Sequence, residues 1–213
     1  MGKTPTDRRP TSAVRVPAKQ IADRDNYHRE LGRFIDMFAK VEMELQLALW
    51  HYAKTTKEVS RAIFSGTRID GSIKFIRRIL AAQKSSDSSR TDLEFIFAQI
   101  TAINDVRNDI IHHGAHSISG GYAIITNSFI ALTKEHIKTH RIAPGILSNM
   151  TFDLIKILVH LRVRHSGRKV PPTIEKHVQP WLHASWQYKP PQPPLARNRN
   201  PPHVRGRSRQ PES

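Results

Sequence analysis

No cysteine occurs among the 213 residues. That excludes disulfides, thiolate nucleophiles, iron–sulfur clusters and cysteine-ligated zinc, and it fits a reducing compartment. Aromatic residues are sparse, at 7%, and hydrophobic residues reach only 38%. One core can form from this composition, without every segment joining it. No apolar run approaches the roughly 20 residues that span a bilayer. The opening stretch, MGKTPTDRRPTSAVRVPAKQ, lacks the apolar centre of a secretory signal. The expectation is a soluble cytoplasmic protein with no membrane partner. Acid is scarce too: 18 Asp and Glu stand against 34 Lys and Arg, for a net charge of +16 and a pI near 10.7. Residues 1–20 carry +4 of this excess and residues 189–213 carry +5. Such a balance favours polyanionic partners, nucleic acid before anionic lipid. The plainer alternative is a protein kept soluble by basic ends.

Several site chemistries are missing as well. SGTRIDGS lacks the lysine and the spacing of a phosphate-binding loop. Nothing resembles a nucleophile elbow. His112 and His116 stand four apart, as metal ligands on a helix can, but Gly114 interrupts them and no third ligand is evident. Neither a metal nor a cofactor is expected.

What is present is helical periodicity between two irregular ends. Residues 1–22 form a flexible basic segment, residues 23–170 a helical domain, residues 171–188 a short docking helix with Trp181 and Trp186, and residues 189–213 a disordered Pro/Arg-rich tail. The tail's PPQPP could offer a polyproline helix to a partner. The fold class expected is all-α, a bundle of about four to five helices with a small β-hairpin insertion. A first helix, capped at Asp25 or Asn26, carries Leu31, Phe34, Ile35, Phe38, Val41, Leu45, Leu49 and Tyr52 at spacings of three and four. A short helix spans about 57–65, and another starts at Asp70. Thr91 opens TDLE, a capping box, and the helix after it stops at Gly114. GGYAIIT and SFIALT alternate as two strands. A closing helix over 150–165 turns Phe152, Ile155, Leu158, Val159 and Leu161 inward.

The informative stretch is RNDIIHHG, residues 107–114. At about 100° per residue, with Leu93 set at zero, Ile96, Ile100, Ile103, Ile110 and Ile111 fall within roughly 260–360°. Arg107 falls near 320°, inside that apolar stripe. A guanidinium there requires a partner or an opening to a cleft. The partner would be Glu42 or Glu44 of the first helix. Asn104, Asn108 and His112 form a second stripe at spacings of four, so Asn108 can hold His112. Arg107 and His112 lie about 140° apart on one straight helix. They meet only if the helix distorts before Gly114 or if two copies of the chain build one cleft. Arginine binds phosphate and stabilises developing charge, and imidazole moves protons near neutral pH. Together they suit cleavage of a phosphodiester beside a 2′-hydroxyl, without metal, and hence RNA.

RNDIIHHG resembles the signature of HEPN domains, in which an arginine and a polar residue precede a histidine near the end of a helix. The first helix RFIDMFAKVEMELQLALW, the element RAIFSGTRIDGSIKFIRRIL and the closing helix extend the resemblance over about residues 26–166. It implies an antiparallel bundle that dimerises with the two motifs facing one cleft. It also implies a metal-independent endoribonuclease with roles in toxin–antitoxin systems, phage defence or RNA processing, and an antitoxin or other regulatory protein as partner. Carried onto this chain, Arg107 is the phosphate-binding arginine, Asn108 the orienting polar residue, and His112 or His113 the histidine. The chain departs from one toxin variant of the family, since Gly114 and Ala115 stand where that variant has a tyrosine. Antitoxin modification of that tyrosine is therefore unsupported. The resemblance also admits a non-catalytic module that binds RNA, nucleotide or protein.

Overall fold

In the computed structural model, residues 17–84 and 86–190 are described, with Ser119 described by its backbone alone. Residues 1–16 of the expected flexible segment 1–22, and residues 191–213 of the expected disordered tail 189–213, lie outside the described residues. The chain is predominantly α-helical. Helix α1 spans Ala18–Ala53, α2 Lys57–Phe64, α3 Ile69–Ala82, α4 Asp87–His113, α5 Pro144–His160 and α6 Pro172–His183. Strands β1 (Ser117–Ser119), β2 (Tyr122–Thr126) and β3 (Thr139–Ile142) form one antiparallel sheet in the order β1-β2-β3. The helical-bundle expectation holds, with six helices among the described residues and a three-stranded sheet in place of a hairpin.

Helix α1 is the spine. Phe34, Phe38, Val41, Leu45 and Leu49 are fully buried at helical spacing, so one stripe meets the other helices while the opposite face stays polar. Its middle lies beside the later turns of α4, since Arg107 sits over the Phe38 ring, and its low-numbered half shares a cleft with Ile110 and Gly114 through Tyr27 and Leu31. Its high-numbered end reaches the start of α4, because His165 links Tyr52 to Asp92. The two helices therefore run antiparallel. Helix α5 packs against α1 most extensively. A π-helical turn, Leu161–His165, extends α5.

Four sequence expectations are corrected. Helix α1 begins at Ala18, ahead of Asp25, so residues 18–22 belong to it. Helix α4 begins at Asp87, and Thr91 is its interior: the Thr91 hydroxyl donates to the Asp87 carbonyl at 2.8 Å, and Glu94 pairs with Arg77. The serine-rich run has thus wound into the helix, leaving the capping box without a terminus to cap. SFIALT is not a strand; β2 pairs instead with β3, with Ile125 opposite His140. Asn127 closes the intervening loop by donating to the His136 carbonyl and accepting from the Lys138 N–H. Along α5 and its π-helical extension Leu147, Met150, Leu154, Ile157 and Leu161 are fully buried, while Phe152, Ile155, Leu158 and Val159 are only partly buried. Helix α5 is covered on a second side by α6, with Phe152 stacked on Trp181 at 4.9 Å, so its apolar residues are not confined to one stripe.

Two buried polar clusters tie the elements together. Asp153 accepts from Gln99 Nε2 and from the backbone N–H groups of Gln187 and Tyr188, each at 2.8 Å. Lys156 donates to the Ala184 carbonyl and lies 4.0 Å from the Trp186 ring centroid. The segment after α6 is thereby bound across α5, with Tyr188 in the core. At the other end, Asp92 is held by His160 at 3.6 Å, by His165 at 2.9 Å and by Arg164 at 3.1 Å. His160, His165 and Arg164 beside it hold the Asp92 carboxyl well below the usual carboxylate range, with His165 making the shortest contact. The Tyr52 hydroxyl lies 2.7 Å from the other nitrogen of His165, and burial together with the Asp92 charge pushes it up to about 12.

Asp153→Ala removes the acceptor of three buried donors and is expected to cost about 2–4 kcal/mol in urea unfolding. Trp186 fluorescence should report release of the C-terminal segment. Asp92 stabilises the fold above its ordinary value of 3.8, and this contribution is lost as pH falls below that value. Asp92→Asn should therefore cost about 1–3 kcal/mol at pH 7, and the difference from the unaltered chain should shrink when both are unfolded at pH 3.

Candidate active site

Helix α4 delivers the motif. It stays helical through His113 and ends where Gly114, at φ 63°, donates its N–H to the Ile110 carbonyl at 2.9 Å. That backbone conformation favours glycine. Because the last turns neither tighten nor unwind, one chain keeps Arg107 and His112 on different faces.

Arg107 lies on the core side of α4, partly buried. Its guanidinium stands 5.2 Å from the centroid of the Phe38 ring, a cation–π contact. Its Nη1 donates to Asn108 Oδ1 at 2.9 Å, while its buried Nε has no hydrogen-bond partner. Among the described residues no carboxylate pairs with it. The anticipated counter-ions do not serve: Glu44 is fully buried and taken by Arg162 at 2.9 Å and Arg168 at 3.8 Å, and Glu42 makes no ion pair among the described residues. The ion-pair reading of Arg107 is thereby corrected. A charge held over a ring, with a single side-chain hydrogen bond and no carboxylate partner among the described residues, retains capacity for an anion.

Asn108 therefore orients the arginine and makes no bond to His112. Its amide oxygen is engaged by the charged Nη1 of Arg107 at 2.9 Å. His112 is exposed, on the same side of α4 as Asn108. Ile111, placed by spacing at the edge of the apolar stripe, is 48% exposed, whereas Ile110, about 100° away round the helix, is buried. Asn108, Ile111 and His112 thus edge one surface, with Arg107 on the core side of it.

His113 turns elsewhere. Its Nε2 lies 3.8 Å from Asp109 Oδ1, and the other Asp109 oxygen lies 2.7 Å from His140 Nε2 on β3. Asp109 and His140 went unnoticed in the sequence. The Asp109–His113 spacing of four was visible there, but His140 reaches it only because β3 pairs with β2. The Asp92, His160 and His165 cluster was also missed, and His160 is buried with Nε2 3.2 Å from the Leu182 carbonyl. No three potential ligands among the described residues gather to hold a metal ion, and no described helix is long and apolar enough to cross a membrane.

No protein-family model matches the chain, and no curated protein or solved structure matches it either. The site stands on its own geometry.

Since Arg107 has no buried counter-ion, Arg107→Leu should change stability by less than about 1 kcal/mol, against the roughly 3–5 kcal/mol of a broken buried pair. Chemical denaturation followed by circular dichroism measures the difference.

Proposed function

We propose that this chain is a metal-independent endoribonuclease of the HEPN type, acting as a homodimer. The observation that carries the reading is Arg107: a partly buried guanidinium aimed by Asn108 at 2.9 Å, backed by Phe38, and paired with no carboxylate among the described residues. Such a group is preorganised for phosphate, and it does not need to break an ion pair to bind it. His112, exposed on the Asn108 side, supplies the proton transfer.

The chemistry follows from these roles. Imidazole of His112 takes the proton of a ribose 2′-hydroxyl, and that oxygen attacks the adjacent phosphorus. The P–O bond to the 5′-oxygen of the next nucleotide breaks, that oxygen leaves with the proton that His112 took up, and a 2′,3′-cyclic phosphate remains. Arg107 stabilises the charge on the non-bridging oxygens. One regular α4 separates Arg107 from His112 by about 140°, so the arginine of one copy and the histidine of a second complete each other's site. Exposed Ile111 beside the motif suits burial between copies. The basic balance of +16 draws the polyanion in. Membership of a toxin–antitoxin or defence system, with an antitoxin as partner, and action in the cytoplasm are part of the same proposal.

Incubation with mixed single-stranded RNAs and a chelator should yield products ending in a cyclic phosphate. Arg107→Ala and His112→Ala should each lower the cleavage rate by at least about 100-fold, the scale of a lost general base or charge stabiliser. Mixing the two inactive variants should restore a fraction of the activity if each site draws on two copies. RNA that stays intact with the unaltered protein, or is cut as fast by Arg107→Ala, overturns the assignment.

A further inference from the structure

A cleft of about 490 Å³ lies beside the motif and plays no part in the chemistry above. It opens between the first turns of α1 and the end of α4, where α4 turns at Gly114 into β1. Its walls include Tyr27, Leu31 and Ile110; its rim carries Arg24, His28 and His116. The three rim residues are exposed, Arg24 enters no ion pair among the described residues, and no carboxylate lines the cleft.

Tyr27 marks the cleft as more than a gap in packing. It is only 2% exposed, yet its hydroxyl makes no hydrogen bond among the described residues. Nor is that hydroxyl one of the atoms sealed inside protein. Buried polar groups are normally satisfied, so a phenol that faces a cleft without a partner fits a ligand with a polar edge. The ring lies edge-on to His28 at 5.7 Å. At the rim, the His116 ring stands 5.3 Å from Phe129, which is 84% exposed. A partly apolar cleft, one unspent phenol, an exposed aromatic ring and three basic groups together match a nucleobase with its sugar phosphate. Ile110 lines the cleft one helical turn beyond Arg107, so a base held there would lie next to a phosphate at the arginine.

We infer that this cleft is a base-binding subsite, taking one unstacked nucleotide of single-stranded RNA with its base against Tyr27 and Leu31 and its phosphate on Arg24 and His116. The inference rests on the ribonuclease reading for its role, but its binding can be tested without cleavage. Adenosine and uridine 3′-monophosphates are titrated into the full chain by calorimetry, with inorganic phosphate as the control. Binding should be tighter for at least one nucleotide than for phosphate. It should weaken roughly 5- to 100-fold, the scale of a lost base contact, in Tyr27→Phe, in Phe129→Ala and in the Arg24→Ala, His116→Ala double variant. Tyr27→Phe keeps the packing of the ring, and the other substitutions are at the surface, so folding is preserved. In RNA cleavage the same variants should raise KM and leave kcat nearly unchanged. Phosphate binding as tightly as either nucleotide, or variants that bind like the unaltered chain, overturns the subsite. Nucleotide binding that obeys these variants while no RNA is cut supports the subsite and removes the nuclease. Cleavage that persists with no nucleotide binding does the reverse.

Discussion

The buried carboxylate of Glu44 constrains the rest of the molecule. It sits on the most buried face of α1 with no exposure at all, and it must be answered in place. Arg162 answers it, donating through Nε at 3.2 Å and Nη2 at 2.9 Å, with Arg168 beyond. Both arginines come from the end of α5 and the turn after it, so the pair locks α5 alongside α1. It also sets the registration in which Arg164 and His165 meet Asp92 at the start of α4. The local π-helical winding over Leu161–His165 carries these side chains in different directions within one turn. Such winding is uncommon and often accompanies specialised contacts.

Because Glu44 is claimed by Arg162 and Arg168, Arg107 on α4 is left with no acid among the described residues. This links the architecture to the site. The same helix, α1, offers Arg107 an aromatic face at Phe38, and α4 itself offers the amide of Asn108. Neither neutralises the charge. A cation kept partly out of water with no counter-ion is costly in the empty state, and that cost falls when an anion binds. Stability and anion affinity therefore oppose each other at this residue, as they do where a site is preorganised for a charged transition state.

The three-stranded sheet adds a second constraint. Ala123 and Ile125 of β2 and Ile142 of β3 are buried against the helices, which seats His140 beside Asp109 and draws His113 toward the sheet. Adjacent histidines thus receive different surroundings. His112 remains open on the Asn108 side, while His113 belongs to the packing between α4 and β3. The sequence left the choice between them open; the proposed function takes His112 for its accessibility and its place beside Asn108.

Spacing alone was sufficient for the helices with a single buried face. Phe34, Phe38, Val41, Leu45 and Leu49 on α1, and Ile96, Ile100, Ile103 and Ile110 on α4, lie where their periodicity puts them, because burying one stripe is a local requirement on a helix. The glycine end of α4 and the position of Arg107 within its stripe were equally legible, as consequences of helical geometry. Features that depend on two distant segments were not. Helix α5 has two covered sides, so its period misled; β3 was hidden because its strand character comes from pairing with β2. Glu44 could have met Arg107 or Arg162, and only the packing of α5 on α1 decided it. Periodicity is written into neighbouring residues, whereas the partner of a buried charge is selected by whichever helix reaches it.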